Sequence, residues 1–394
     1  MIHLCEKEIC TGCGACHNIC PRHAIVMQSD EEGFVYPQIN NEFCVSCGLC
    51  QSVCPELNPI QKHDFVTHPL AVVAKSEEVA KKSSSGGMFT VLASWVLEHN
   101  GFVFGASFDD NLRVTHIKIS SISDLDKLRG SKYVQSNILY TYKEVRECLK
   151  NKSYVLFSGT PCQIAGLYGF LGKLDITLLF TVDIVCHGVP SIKAFHLYLE
   201  KLSLKEHFDL SEIRSFLFRD LHRWNVTPSM QIEGYGKRIL SVDKNIYMLL
   251  FLSSRLHRYS CYHCQYACQR RISDITIADF WGIGEKVPFK YDVSHGCSLV
   301  LVNSVKGESL FKYISGKINF EERQWEEALN DNSQLHSCSV CPKDRKDVYK
   351  YMESHTYEKI FNHYFNTPIV RLRRFVGKII DFLHLRWILI KILN

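Results

Sequence analysis

The chain has 394 residues, with 46 Lys and Arg against 41 Asp and Glu and with 18 cysteines. That length holds a small module and a larger body of one or two cores, and a net charge of +5 without a concentrated basic block excludes nucleic acid as the expected partner. Residues 1–9 carry Glu6, Lys7 and Glu8 and no long apolar run, so no secretory leader is expected. Abundant cysteine without such a leader implies thiols kept reduced in the cytoplasm, and excludes a disulfide scaffold.

The first element in the chain is a repeat. Cys10, Cys13, Cys16 and Cys20-Pro21 are followed by Cys44, Cys47, Cys50 and Cys54-Pro55, the same pattern 34 positions later. Each copy has the C-x2-C-x2-C-x3-C-P spacing of two-cluster ferredoxins, in which the fourth cysteine of one run serves the other run's cluster. Three thiolates two residues apart wrap one cubane from a tight loop, while the fourth has turned away into a short helix. Cys10, Cys13, Cys16 and Cys54 are therefore expected to hold one 4Fe-4S cluster, and Cys44, Cys47, Cys50 and Cys20 the second. Gly12, Gly14 and Gly48 let the backbone approach inorganic sulfide closely. A zinc ribbon would show two separated ligand pairs, not two quartets with prolines in register. The module spans 1–57, with a strand expected around Gly33-Phe34-Val35-Tyr36.

Residues 58–69, with Pro59, His63, His68 and Pro69, read as a linker wrapped onto the next domain. That domain is expected in two parts, 70–150 and 151–320. A strand at Leu70–Lys75 leads to Ser83-Ser84-Ser85-Gly86-Gly87 and then to a helix from Met88 with apolar residues at helical spacing. A serine and glycine run opening a helix either presents free N–H groups to an anion such as a cofactor phosphate or is simply a flexible cap. Strands follow at Phe102–Phe108 and Val114–Ile119, then a turn into Gly130-Ser131-Lys132-Tyr133.

Next, strand Tyr154–Phe157 runs into Ser158-Gly159-Thr160-Pro161-Cys162-Gln163 and a helix through Leu171. The unit repeats as strand Leu178–Val185, loop Cys186-His187-Gly188-Val189-Pro190 and a helix over Ser191–Leu202. Strand, loop and helix twice over predict an α/β sheet whose ligands gather at the carboxyl ends of its strands. Arg219, Asp220, Arg223 and Trp224 form a charged and aromatic group that lines a cavity or makes a surface ion-pair cluster. Asp274 through Gly282 alternates like a strand and ends in Asp279-Phe280-Trp281-Gly282, suited to the edge of a planar ring or to a packed core.

Cys162 and Cys186 close neighbouring strands, and Cys261 with Cys264 forms a C-x2-C pair. Four thiols make a complete third-cluster set, against a structural zinc on the pair or inert core thiols at the strand ends. Six cysteines stay outside these sets. Cys5 and Cys148 are expected as small core residues, Cys268 as an alternative third local ligand, and Cys338 with Cys341 as a half-site that Cys268 and Cys297 would have to complete.

The motifs Ser83–Gly87, Gly130–Ser136, Gly159–Gln163, Cys186–Ser191 and Asp274–Gly282, in this order over Leu70–Gly307, resemble those of the beta-subunit family of coenzyme F420 hydrogenases and dehydrogenases, in its bacterial form with a ferredoxin module. The resemblance implies an α+β two-cluster ferredoxin module fused to an α/β iron-sulfur flavoprotein domain. It further implies a third 4Fe-4S cluster on Cys162, Cys186, Cys261 and Cys264, and FAD or another flavin contacted by Ser84, Ser85, Gly86, Gly87, Lys132, Asp279, Phe280 and Trp281. His187 and Asp279 become the groups to test as proton donors. Leu221 and Arg223 stand where the family pattern leads one to expect a lysine and a glycine, and Cys297 where a small apolar residue is usual.

Residues 321–394 are expected to be helical, ending from Ile369 to Asn394 in a basic amphipathic tail that docks on protein or lies peripherally at the inner face of the membrane. Charges interrupt every window of about 20 residues there, so a span is not expected. The resulting reading is an oxidoreductase that relays electrons through clusters and a flavin to a redox partner protein or a small-molecule acceptor, of deazaflavin or nicotinamide type. Its rivals are a noncatalytic electron-transfer subunit and an assembly partner in envelope polysaccharide synthesis.

Overall fold

The computed structural model describes residues 4–64, 68–221 and 224–366. The N-terminal module runs α1 (Ala15–Ile19), β1 (Ile25–Ser29), β2 (Val35–Ile39) and α2 (Leu49–Ser52), with β1 and β2 antiparallel from Ile25↔Ile39 to Ser29↔Val35. Its internal repeat is visible in the backbone. Gly14 and Gly48, 34 positions apart, both cap a short helix at φ 76°, a left-handed conformation that a side chain would strain. Residues around Lys62 and His63 lie along the next domain, His63 N–H donating to Arg271 O at 2.8 Å.

The larger body follows in chain order as β3 (Leu70–Ala74), α3 (Glu77–Lys81), α4 (Met88–Glu98), β4 (Phe102–Phe108), β5 (Val114–Ile119), α5 (Thr141–Lys150), β6 (Val155–Gly159), α6 (Pro161–Leu171), β7 (Leu179–Ile184) and α7 (Ile192–Glu206). Next come β8 (Ile213–Leu217), β9 (Ser229–Ile232), β10 (Gly236–Ile239), α8 (Ile246–Leu252), β11 (Ile275–Asp279), β12 (Ser298–Val302), α9 (Val305–Ile314), β13 (Ile318–Glu322), α10 (Trp325–Asn330), α11 (Arg345–Ser354) and α12 (Tyr357–Phe365).

Eight strands form one mixed sheet in the order β13-β3-β12-β11-β7-β6-β4-β5. Its centre, β4-β6-β7-β11, is parallel; β5, β12 and β13 run against it. The parallel strands are buried on both faces, which explains why Val155, Leu156 and Phe157 read as a continuous apolar run. The sheet includes both β3 and β13, so the boundaries expected at 150 and 320 do not divide it; the second would cut through β13. Helices α11 and α12 pack through Tyr349, Met352 and Ile360 onto the core built around α7 and α8. The expected tail from Ile369 lies outside the described residues. Among the described residues no helix is long and apolar enough to cross a membrane.

The module is joined to the body by buried polar contacts. Arg258 is fully buried and donates to Cys10 O at 2.7 Å, Val35 O at 3.0 Å and Gln135 Oε1 at 3.1 Å, with its guanidinium over the Tyr36 ring. Gln135 Nε2 reaches Thr11 O at 2.8 Å, and Arg345 grips Glu32 with two nitrogens at 2.8 and 2.7 Å. Because such groups would be costly to bury unpaired, the arrangement fixes the module in one orientation.

Candidate redox site

Two small cavities lie within the module. Cys20, Cys44, Cys47 and Cys50 line one, and Cys10, Cys13, Cys16 and Cys54 line the other. The fourth cysteine of each run thus faces the opposite run's loop. Backbone N–H groups point at these sulfurs, from Gly12 to Cys10, from Ala15 to Cys13 and from Leu57 and Glu56 to Cys54. This is the environment that a thiolate-bound cluster needs for its negative charge.

A third group of thiols forms where β6 and β7 end. Thr160-Pro161-Cys162-Gln163 is a helix start: Pro161 has no N–H to lose at the first position, and Gln163 Oε1 accepts the Thr160 N–H at 3.0 Å. Cys162 therefore sits in the first turn of α6, at the carboxyl end of β6. Cys186 follows β7. The loop bearing Cys261 and Cys264 is pinned to the end of β7 by Arg271, which donates to Tyr266 O at 2.7 Å and Ile184 O at 3.0 Å and pairs with buried Asp183 at 3.2 Å.

Burial pushes the Cys162, Cys186 and Cys261 thiols up to about 12, and charge on one thiol of the group raises its neighbours further. Gly188 N–H points at Cys186, Val189 N–H at Cys261, and the N–H groups of Tyr266 and Ala267 at Cys264. The donor set repeats that of the module's quartets.

The inner module quartet adjoins this group across α6. Gly166, one turn beyond Cys162, lies so close that a Cβ there would come within 3.0 Å of Cys13 Sγ. The Tyr142 hydroxyl is 2.9 Å from Cys13 O and 2.7 Å from Gln163 O, linking the two walls. On its far side the group opens into a large cavity of about 680 Å³, whose wall includes Cys186, His187, Gly188 and Thr160.

Ser84, Ser85, Gly87, Lys132, Asp279 and Trp281 line that cavity as well. Gly86 and Phe280 do not, contrary to expectation. Gly86 is pressed onto the sheet, where a Cβ would collide with Val72 O, and Phe280 is fully buried in the core behind β11. Helix α4 opens at Gly87 without a side-chain cap, and its first turn, Gly87 to Thr90, lines the cavity. Lys132 Nζ donates to the carbonyls of Arg129, Leu128 and Lys127 at 2.7, 3.1 and 3.3 Å, and burial lowers its pKa to about 7. A half-buried ammonium held only by carbonyls fits an anionic group.

Asp279 is committed on both oxygens: Arg219 Nη1 lies 2.5 Å from Oδ2 and Trp224 Nε1 donates to Oδ1 at 2.8 Å. Trp224 in turn stacks on Trp281 with ring centroids 4.8 Å apart. Both oxygens of Asp279 are thus occupied, by Arg219 and by Trp224. His187 faces the cavity, and its surroundings push its pKa down through burial.

Several site residues escaped the sequence. The sequence does not say where Trp224 and Arg219 point, because Trp224 and Asp279 are 55 positions apart and give no local signal. Cys5, expected in the core, packs half-buried against it and also lines the inner module cavity. Cys148 is a core residue as expected. The half-site at Cys338 is not completed: Cys338 donates to Tyr262 O, Cys268 accepts from Lys62 Nζ at 3.2 Å, and Cys297 is buried against Val72 O.

Comparison with known proteins bears on this arrangement. Residues 9–57 match the family model of the 4Fe-4S dicluster domain, and residues 153–328 match that of the C terminus of the beta subunit in coenzyme F420 hydrogenase/dehydrogenase. A xenon-derivatised structure of the F420-reducing [NiFe] hydrogenase complex from Methanosarcina barkeri contains a chain 16% identical to this one. The match covers 74% of this chain and 93% of that one, with a TM-score of 0.47. No curated protein matches. The chain thus carries a 4Fe-4S dicluster domain at residues 9–57 ahead of a domain of the kind found at the C terminus of the coenzyme F420 hydrogenase/dehydrogenase beta subunit, at residues 153–328.

Proposed function

We propose that the protein is an oxidoreductase in which three 4Fe-4S clusters lead electrons to a flavin in the large cavity. Cys20, Cys44, Cys47 and Cys50 hold the outer cluster, Cys10, Cys13, Cys16 and Cys54 the inner one, and Cys162, Cys186, Cys261 and Cys264 the third. The observation that carries this reading is the position of the third thiol group. Cys186 is on the cavity wall, while Cys162 is one helical turn from the glycine that touches Cys13.

A flavin converts one-electron transfers into two-electron chemistry. The open end of α4 and Lys132 suit its phosphates, and Trp281, stacked on Trp224, offers a ring surface beside it. Of the two candidate proton donors, His187 is the one whose side chain is not tied up, Asp279 serving instead to hold Arg219 and Trp224. The acceptor is a redox partner protein or a small molecule of deazaflavin or nicotinamide type.

Iron, acid-labile sulfide, zinc and flavin content of anaerobically purified protein tests the reading, beside a Cys162→Ala variant. About twelve irons and one flavin are expected, falling by about four irons in the variant. About eight irons without flavin would sink the proposal.

A further inference from the structure

The inner module cavity has five thiols on its wall, not four. Besides Cys10, Cys13, Cys16 and Cys54 it is lined by Cys5. The turn that closes from Cys10 N–H to Glu6 O at 2.9 Å folds the chain back, and Cys5 packs into the same cluster of side chains as Cys10. Its sulfur lies within hydrogen-bonding reach of the sulfurs of Cys10 and Cys54, to either of which its one proton can be given. Cys5 therefore stands between the first ligand of its own run and the ligand contributed by the other.

The internal repeat supplies a comparison within the same molecule. At an offset of 34, the counterpart of Cys5 is Ile39, and Ile39 lines the outer cavity. The outer cavity has no fifth thiol among its lining residues. One position in the repeat thus packs over each cluster site. It is apolar in the outer copy and a potential iron ligand in the inner one. A cysteine there could act as a small apolar residue, but an apolar filler has no reason to touch two ligand sulfurs.

We infer that Cys5 is a reserve ligand of the inner cluster, able to take the iron position of Cys10 or Cys54. This rests on the assignment of the inner cluster to Cys10, Cys13, Cys16 and Cys54. In the exchange the Fe–S bond to the departing cysteine breaks and a bond from iron to Cys5 Sγ forms. The Cys5 proton passes to the released thiolate, and no electron is gained or lost. The outer cluster, exposed at Cys47, has no such substitute.

The test compares full-length variants purified anaerobically, read by iron per chain and by the EPR signal of the reduced clusters. Cys5→Ala and Cys10→Ala are each expected to keep the iron content of the unaltered protein, with the inner-cluster signal shifted in Cys10→Ala. The Cys5→Ala/Cys10→Ala double variant should lose about four irons, as should Cys47→Ala alone. Loss of as much iron in Cys10→Ala as in the double variant overturns the inference. Cys47→Ala without iron loss overturns the cluster assignment, and the inference with it. Should Cys10→Ala fail to fold, Cys54→Ala with and without Cys5→Ala gives the same comparison.

Discussion

Gly166 of α6 rests directly on Cys13 of the module: a Cβ on the glycine would lie 2.9 Å from Cys13 Cβ, 3.0 Å from its Sγ and 2.9 Å from the Tyr142 hydroxyl. No side chain fits there without moving the module or the helix. Gly169, three residues on, meets Val53 O in the same way. The two glycines set how closely the inner quartet approaches the third.

Gly166→Val is therefore expected to destabilise the protein by about 1–3 kcal/mol, the usual cost of overpacking, and, on the proposed cluster assignment, to slow electron transfer between the inner and third clusters. Rapid-mixing reduction monitored optically would reveal a lag in the variant. An unchanged rate would show that the contact does not set the distance.

Arg258→Met removes the buried guanidinium and leaves the carbonyls of Cys10 and Val35 without their donor. Loss of several charge-assisted hydrogen bonds should cost about 3 kcal/mol or more. Limited proteolysis within residues 58–69 should accelerate before the rest of the chain becomes sensitive, because these bonds join the module to the body.

Lys132 gives a pH dependence of definite sign. In the folded protein burial lowers its pKa from 10.5 to about 7, so between these values the unfolded chain binds a proton that the folded one has lost. Stability of the ligand-free protein should rise with pH across that window. On the proposed reading that the cavity takes FAD, its affinity should run the other way, falling by about tenfold per pH unit above 7, because a bound anion favours the ammonium. Lys132→Met should abolish the pH dependence of FAD binding measured by fluorescence titration.

Asp279→Asn leaves buried Arg219 without its counter-charge. Breaking such a pair costs about 3–5 kcal/mol, and the stacked Trp224 and Trp281 should change their fluorescence as the indole loses its anionic acceptor. A shifted pH profile of turnover with unchanged fluorescence would mean that Asp279 handles protons after all.

Cys268→Ala should leave iron content unchanged, since its sulfur sits beside Lys62 Nζ. A loss of about four irons would restore it as a cluster ligand.

The sequence by itself determined what local spacing and local chemistry decide. The two cysteine runs, the Thr160-Pro161 helix start and the strands Phe102–Phe108 and Val114–Ile119 depend on residues a few positions apart, and the structure has them at those positions. The motif order carried the family, which the comparisons bear out. The cavity is different, because its wall is drawn from strand ends, the start of α4 and the segment at Trp224, all distant in the chain. Whether Asp279 is free or committed depends on Arg219 and Trp224 arriving from 60 and 55 residues away. Burial of Phe280 rather than its neighbour Trp281 depends on how the chain turns after β11 ends at Asp279, which the strand's alternation does not decide. The fifth thiol is a tertiary fact in the same sense. Cys5 resembles any small core residue until the turn at Glu6 brings it against Cys10, and against Cys54 from the far end of the repeat.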